Sequence, residues 1–307
     1  MIYLISKFFY KLIVSLNFII EKLFKRKNFR FYIYELLRNH NVKKMLNNKT
    51  TIFFCPSSET KRRIDTILTK EPETIDFINN FTEIKNKDKN KDLIFFDIGS
   101  NIGLYSIYAS QTIDKIKVYS FEPSFNNLSI LSKNISINNL NEKIFIMPFS
   151  ITENKESRPF FSSKFYETMD QEGGAINYFE EINKLFVDSS KNRNNFLTYC
   201  TFGTSLDNLI DEKVIPLPDV IKIDTDGQEL KILRGSRNLL KNCSKLKIQI
   251  ELNEKDIAHF GESLKILESN GFIFLKKLRN DDYHKNEKFS KVYNYYFEKK
   301  EMRLNVK

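Results

Sequence analysis

Phe95-Phe96-Asp97-Ile98-Gly99-Ser100-Asn101-Ile102-Gly103-Leu104-Tyr105 runs from an apolar strand into an acid, then through a glycine-rich turn into a helix. Glycines 99 and 103 read as room for a ligand to approach the backbone, and the opening turn of a helix supplies free N–H groups. A dinucleotide turn would follow Gly-x-Gly-x-x-Gly, whose second glycine admits a pyrophosphate; here that position is Asn101. Asp97 would repel a diphosphate, but a carboxylate there can receive a cationic amino-acid head group, directly or through water. The next apolar run, Val118-Tyr119-Ser120-Phe121, ends in Glu122-Pro123. A carboxylate at that place accepts two hydrogen bonds from ribose hydroxyls. Together the two elements describe a site for a nucleoside without a phosphate tail.

Working outward, short apolar runs alternate with helical stretches from residue 92 onward, the pattern of a mostly parallel sheet covered by helices. Strands are expected at Leu93–Asp97, Ile116–Phe121 and Ile144–Phe149, with helices at Gly103–Ser110 and Phe125–Asn138, the latter capped by Ser124. The same grammar returns at Val220–Asp224 (strand), Gln228–Leu240 (helix), Leu246–Glu251 (strand) and Ser263–Asn270 (helix). Phe272–Leu278 and Val292–Glu298 read as an antiparallel pair on the sheet's edge. Residues 151–195 read as an irregular, lid-like insertion over the carboxyl ends of the strands, followed by a strand at Phe196–Phe202 and a helix start at Thr204-Ser205-Leu206-Asp207. Residues 50–91 read as a helical lead-in that closes on the polar run Lys85 to Lys91. The domain layout is therefore a helical arm (1–49), a lead-in (50–91) and a sheet-bearing body (92–300) that contains the lid-like insertion.

The 307 residues carry a net charge of +10, and its distribution matters more than its size. Residues 1–49 hold eleven basic side chains against two acidic ones, a net +9, which leaves the rest of the chain at +1. A nucleic-acid binder usually carries a basic stripe across its folded body, and here the body is nearly neutral. The arm places Ile5, Phe8, Phe9, Leu12, Leu16, Ile19 and Leu23 at helical spacing, with Lys7, Lys11, Lys22 and Lys25 on other faces. Its longest apolar run, Leu12–Ile20, is nine residues with Ser15 and Asn17 inside, whereas a span needs about 20. Two readings stand: residues 1–27 lie on an anionic membrane surface, or the apolar face docks on the body or on a second subunit. A cleaved signal fits worse, because the positive cluster follows the apolar stretch. Cys55, Cys200 and Cys243 are odd in number and far apart, which excludes a disulfide scaffold and any Cys-x-x-Cys motif. They read as small buried hydrophobes in a reducing, cytoplasmic compartment, with attachment to the inner membrane face as the peripheral alternative.

Four ordered stretches carry a family resemblance: Asp97-Ile98-Gly99-Ser100-Asn101-Ile102-Gly103-Leu104-Tyr105-Ser106, Phe121-Glu122-Pro123-Ser124, Thr204-Ser205-Leu206-Asp207-Asn208-Leu209, and residues 221–235, IKIDTDGQELKILRG. The set resembles FkbM-type S-adenosylmethionine-dependent methyltransferases over roughly residues 92–277. The resemblance implies a Rossmann-like seven-stranded α/β methyltransferase sheet, mostly parallel with an antiparallel edge strand, and methylation of hydroxyl groups on sugars, glycolipids or polyketides. It implies that Asp97, Gly99, Ser100, Asn101 and Gly103 hold the methionine end of the cofactor and that Glu122, with Pro123, holds the ribose. Ser150 occupies the place where the chain passes the adenine. Asp226 stands where the family pattern commonly has Glu.

Asp224, Asp226, Glu229 and Glu251 lie near the ends of the fourth and fifth strands, where an open α/β sheet binds its substrate. Methyl transfer to a hydroxyl needs alignment and the removal of one proton. Asp224 with Glu251 is the expected acid pair, and His259 can take a proton nearer neutral pH. A divalent metal held by Asp224, Asp226 and Glu251 would acidify the alcohol instead. Glu229 reads as a helix-capping acid. The expected activity is O-methylation of a sugar in a surface polysaccharide or glycolipid, with no nucleic-acid partner. An RNA methyltransferase and a non-catalytic, membrane-associated binding protein are the alternatives.

Overall fold

The computed structural model describes residues 41–81, 91–163, 196–225, 227–279 and 290–299, together with Leu4, Ile5, Lys7, Phe8, Lys11, Leu12, Ser15 and Leu16, which are helical. Asp226, His40, His284, Gly173-Gly174, most of the arm and residues 164–195 of the expected lid lie outside the described residues.

Asn41–Leu46 (β1) and Lys49–Phe54 (β2) form an antiparallel hairpin. This corrects the expectation of helix on both sides of residue 50. The turn residues Asn47 and Asn48 have φ of 46° and 61°, the left-handed pair a two-residue hairpin uses and asparagine tolerates. Thr50, Thr51, Ile52, Phe53 and Phe54 then supply the β-branched and aromatic side chains a strand favours. Within the lead-in, helix begins at Ser58–Thr66 (α1), where the Ser57 side chain accepts the Thr60 N–H, and continues in Pro72–Asn79 (α2), with proline in its first turn.

The body is a seven-stranded sheet. Its strands are Leu93–Ile98 (β3), Ile116–Phe121 (β4), Ile144–Met147 (β5), Val220–Ile223 (β9), Lys247–Asn253 (β10), Phe272–Leu278 (β11) and Val292–Lys299 (β12), in the order β11-β12-β10-β9-β3-β4-β5. β10, β9, β3, β4 and β5 are parallel, and β12 pairs antiparallel with both β10 and β11. The order reverses between β3 and β9, the crevice where parallel sheets bind ligands. Leu104–Thr112 (α3), Phe125–Ile137 (α4) and α2 cover one face, with Phe95, Ile107, Val118, Leu131 and Val220 in one buried cluster. Leu206–Asp211 (α5), Glu229–Arg234 (α6), Arg237–Asn242 (α7) and Ile257–Ser269 (α8) accompany the other face, where Phe96, Ile98, Ile221, Ile223, Ile248 and Ile250 pack.

Two helices depart from their sequence reading. Gln228–Leu240 is split into α6 and α7 at Gly235-Ser236, where a Cβ on Gly235 would stand 2.3 Å from the Thr152 carbonyl oxygen. α8 starts at Ile257 rather than Ser263, because the Asp256 side chain accepts the His259 N–H and caps it. The stretch expected to be irregular opens with order: Glu156–Ser163 (β7) pairs antiparallel with Phe196–Thr204 (β8), and Ser150–Ile151 (β6) pairs parallel with β8. Pro159 in β7 masks this strand in the sequence; a proline is tolerated on a strand with only one partner. Among the cysteines Cys55 is buried, Cys243 is half-buried and Cys200 is exposed on β8, so the reading of all three as core holds only in part.

Candidate functional site

β3 ends at the switch point, and its glycine turn is held from both flanks. The N–H groups of Gly99 and Ser100 both donate to the Phe121 carbonyl at 3.0 Å, which ties the turn to the end of β4. On the other side the Asp224 N–H donates to the Ile98 carbonyl at 3.0 Å. A Cβ on Gly99 would lie 1.9 Å from the Asp224 carbonyl oxygen, and one on Gly103 would lie 2.3 Å from Leu131. Both glycines have φ of 83°, a conformation other residues adopt rarely. The sequence reading gave these glycines to the ligand. The structure gives each a protein neighbour: they let β9 and α4 close on the turn, which aims the remaining backbone at the crevice.

Asn101 also lies in the left-handed region, at φ 51°, and its side chain accepts the Ile102 N–H at 2.8 Å. Its own N–H donates to Glu122 Oε2 at 2.8 Å, while Glu122 Oε1 accepts the Ser124 N–H at 2.8 Å. Burial pushes Glu122 up to about 7, although the Ser124 and Asn101 amides, the Asn127 side chain and Arg63 all favour its charge. Tyr199, on β8, was not singled out in the sequence. Its hydroxyl donates to the Pro123 carbonyl at 3.1 Å and accepts the Phe125 N–H at 3.0 Å, and its ring stacks on Phe125 with centroids 4.3 Å apart. Burial pushes Tyr199 up to about 12, so it stays a donor. No local signal marks it, because its contact spans 76 residues.

Asp97 is 1% exposed. The Ser106 hydroxyl donates to its Oδ2 at 2.5 Å, and its Oδ1 is buried with no hydrogen-bond partner. Burial raises its pKa, opposed by the Lys222 charge and the Ser106 hydrogen bond. A cationic head group at the glycine turn would stand over this charge, and an orphaned carboxylate oxygen is what such a group needs beneath it. Ser150 is buried as well, with its hydroxyl unpartnered. Asp97, Asn101, Glu122 and the turn between them therefore fit the amino-acid and ribose ends of the S-adenosylmethionine that the sequence resemblance implies.

Just beyond β9, Asp224 takes a 2.8 Å hydrogen bond from Lys222 Nζ, and its side chain is 28% exposed. Burial works against its charge, but Lys222, with help from Lys70 and Arg63, holds its pKa below the usual aspartate value. Glu251 lies on β10 with its side chain on the same sheet face as Gln249, whose register partner on β9 is Lys222. Glu251 lines a small cleft with Glu71, Glu73, Arg279, Tyr293 and Asn294. His259 is not brought into this group: it is 61% exposed, with Nδ1 2.8 Å from the Asp256 cap of its own helix. Glu229 does the capping expected of it, one oxygen accepting the Thr225 N–H and hydroxyl and the Gly227 N–H. Among the described residues no group of three His, Cys, Asp or Glu side chains is placed to hold a metal ion, and Asp226 lies outside them.

A family model described as the Methyltransferase FkbM domain matches residues 97–274. The methyltransferase sdnD of Sordaria araneosa is 23% identical over 176 residues, covering 52% of this chain and 65% of that protein. The hexuronic acid methyltransferase AglP of Haloferax volcanii is 22% identical over 173 residues, covering 56% of this chain and 62% of that protein. The chain thus spans a little under two thirds of the length of these curated relatives. Similar solved structures include M. jannaschii TYW2 in complex with AdoMet, at TM-score 0.42 and 12% identity, with 85% of each chain covered. Another is the magnesium protoporphyrin IX methyltransferase (ChlM) of Synechocystis PCC 6803 with bound SAM, at TM-score 0.40 and 13% identity, with 76% of this chain and 82% of that one covered.

Proposed function

The chain belongs to the FkbM methyltransferase family, and from that premise we propose that it transfers a methyl group from S-adenosylmethionine to a hydroxyl group of a sugar. The observation that carries the cofactor reading is the pair of acids on adjacent strand ends. Asp97 waits with an unpartnered oxygen under the glycine turn, and Glu122 is clamped to that turn through the Asn101 N–H. When bound, the cofactor supplies a methyl group on a sulfonium centre, which an oxygen nucleophile displaces in line.

The chain's own contribution is placement and a proton acceptor. Asp224, held ionised by Lys222 and partly exposed at the switch point, is the group that takes the hydroxyl proton. Glu251, one strand further out, is the second carboxylate for acceptor hydroxyls, since each carboxylate oxygen accepts in two directions. The hexuronic acid named in the AglP relative supports a sugar acceptor. The small net charge of residues 50–307 favours it over RNA.

The eight described N-terminal positions are helical, and Leu4, Ile5, Phe8, Leu12 and Leu16 are exposed among them. No described helix is long and apolar enough to cross a membrane. With the arm's net +9, an anionic membrane surface is the proposed resting place of this stretch and brings the enzyme to a lipid-linked glycan.

The test is incubation of the purified protein with methyl-labelled S-adenosylmethionine and a panel of neutral hexosides, hexuronides and RNA. Label on a sugar that survives mild alkali marks an ether and supports hydroxyl transfer. Label released by mild alkali marks an ester on a carboxyl group and contradicts the hydroxyl assignment, and label on RNA alone contradicts the sugar reading.

A further inference from the structure

Five register partners lie side by side across the sheet: Ser120 on β4, Asp97 on β3, Lys222 on β9, Gln249 on β10 and Tyr296 on β12. They form a buried polar band on the face covered by α2 and α3. Its joints are visible. Ser106 of α3 lies within hydrogen-bond distance of both Asp97 and Ser120, at 2.5 and 2.8 Å, and Gln249 donates to Thr74 of α2 at 2.6 Å. Lys222 sits at the centre of the band, 1% exposed, in a strand whose other residues are Val220, Ile221 and Ile223.

Burying an ammonium is expensive unless carboxylates surround it. Burial alone would lower the pKa of Lys222, but Asp224, Asp97 and Glu71 together raise it above the usual lysine value. Its Nζ also stands 5.1 Å from the centre of the Tyr105 ring. Three acids act on this one ammonium: Asp97 under the cofactor turn, Asp224 at the acceptor end and Glu71 before α2.

We propose that Lys222 is a positioning residue for the cofactor site, its ammonium standing beside Asp97 beneath the glycine turn while its hydrogen bond orients Asp224. The proposal rests on the cofactor reading given above. The groups facing the pair are Ser106 and Tyr105 of α3, Ser120 of β4, Asp224 after β9 and Glu71 before α2, with Arg63 and Lys70 acting on Asp224 from the lead-in. Without the lysine, Asp97 keeps its burial and loses the strongest influence that opposes protonation.

The test is calorimetric titration of S-adenosylhomocysteine and of 5′-methylthioadenosine, which lacks the amino-acid head group, from about pH 5.5 to about 9. In Lys222→Met the homocysteine ligand should weaken by about tenfold or more at neutral pH and recover toward pH 9, since each unit of pKa shift is worth tenfold. The methylthioadenosine affinity should stay within about twofold of wild type, because its ribose and adenine do not meet Asp97. Lys222→Arg, which keeps the charge, should restore the wild-type pH profile. Where Lys222→Met does not fold, Lys222→Gln carries the same expectation with a donor retained. Equal weakening of both ligands at every pH, or an unmoved homocysteine profile, would overturn the proposal. A wild type that binds neither ligand removes the cofactor reading and this proposal with it.

Discussion

The Glu122 carboxylate and the Asn101 amide are joined by a 2.8 Å hydrogen bond that crosses from the end of β4 to the turn after β3. This one bond ties Glu122, the acid proposed for the ribose, to the loop proposed for the methionine end. It has a pH consequence. Burial raises Glu122 from an ordinary carboxyl to about 7, so between about pH 4.5 and 7 the folded protein binds a proton the unfolded chain does not. Stability from this group is therefore present at low pH and lost as pH rises through 7, by up to about 3 kcal/mol. Glu122→Gln should flatten that part of the stability profile, measured by urea unfolding at pH 5 and pH 7.5. Identical pH slopes in the two proteins would contradict the burial argument.

Glycine substitutions separate close approach from backbone strain. Gly99 and Gly227 both have positive φ, but a Cβ on Gly99 would strike the Asp224 carbonyl at 1.9 Å whereas one on Gly227 meets nothing within 4 Å. Gly227→Ala should cost about 1 kcal/mol, the strain alone, and Gly99→Ala about 3 kcal/mol or more, because β9 must shift. Chemical denaturation of both variants gives the comparison directly, and equal losses would show that β9 does not press on the turn.

Asn134 links the lead-in to the body. Fully buried on α4, it accepts the Phe54 N–H at 2.8 Å and donates to the Ile102 carbonyl at 2.9 Å, joining the hairpin to the glycine turn. Asn134→Ala leaves two backbone groups unpaired and should destabilise by about 2–4 kcal/mol. Amide exchange should report the change first at Phe54. Full protection there would show that the hairpin is held by other contacts.

The exposed apolar positions of the arm lead to a lipid test. The protein should co-sediment with phosphatidylglycerol vesicles, bind phosphatidylcholine vesicles much less, and be released by salt. Replacing Leu12 and Leu16, both exposed, with Glu should abolish sedimentation without altering the melting temperature. Sedimentation that survives deletion of residues 1–27 would place the membrane contact elsewhere.

What the sequence displays and what it hides divide along contact distance. The strand-turn-helix at 95–105 and the acid after β4 were legible because each is local: periodicity, an acid and glycines at short spacing. The parallel order was legible from the alternation of apolar runs and helices. The hairpin at 41–54 was hidden by basic residues in β1 and by a turn built from two asparagines rather than Asn-Gly. Tyr199 and Lys222 were hidden for a different reason. Tyr199 reaches Pro123 from a strand 76 residues away. Lys222 stands within a strand otherwise made of Val and Ile, a mismatch that is itself a signal once read as a buried charge requiring partners. His259 carried a plausible chemistry and a local explanation at once, and the Asp256 cap of its helix is what the structure displays.

The account stands most directly on one titration: S-adenosylhomocysteine into the wild type and into Glu122→Ala, with NAD as the control ligand. Binding by the wild type, weakened by about tenfold or more in the variant and absent for NAD, is the predicted result, since the variant loses a two-oxygen acceptor for the ribose hydroxyls. A folded wild type that does not bind S-adenosylhomocysteine, or a Glu122→Ala variant that binds it as tightly as wild type, would contradict the cofactor site described for this fold.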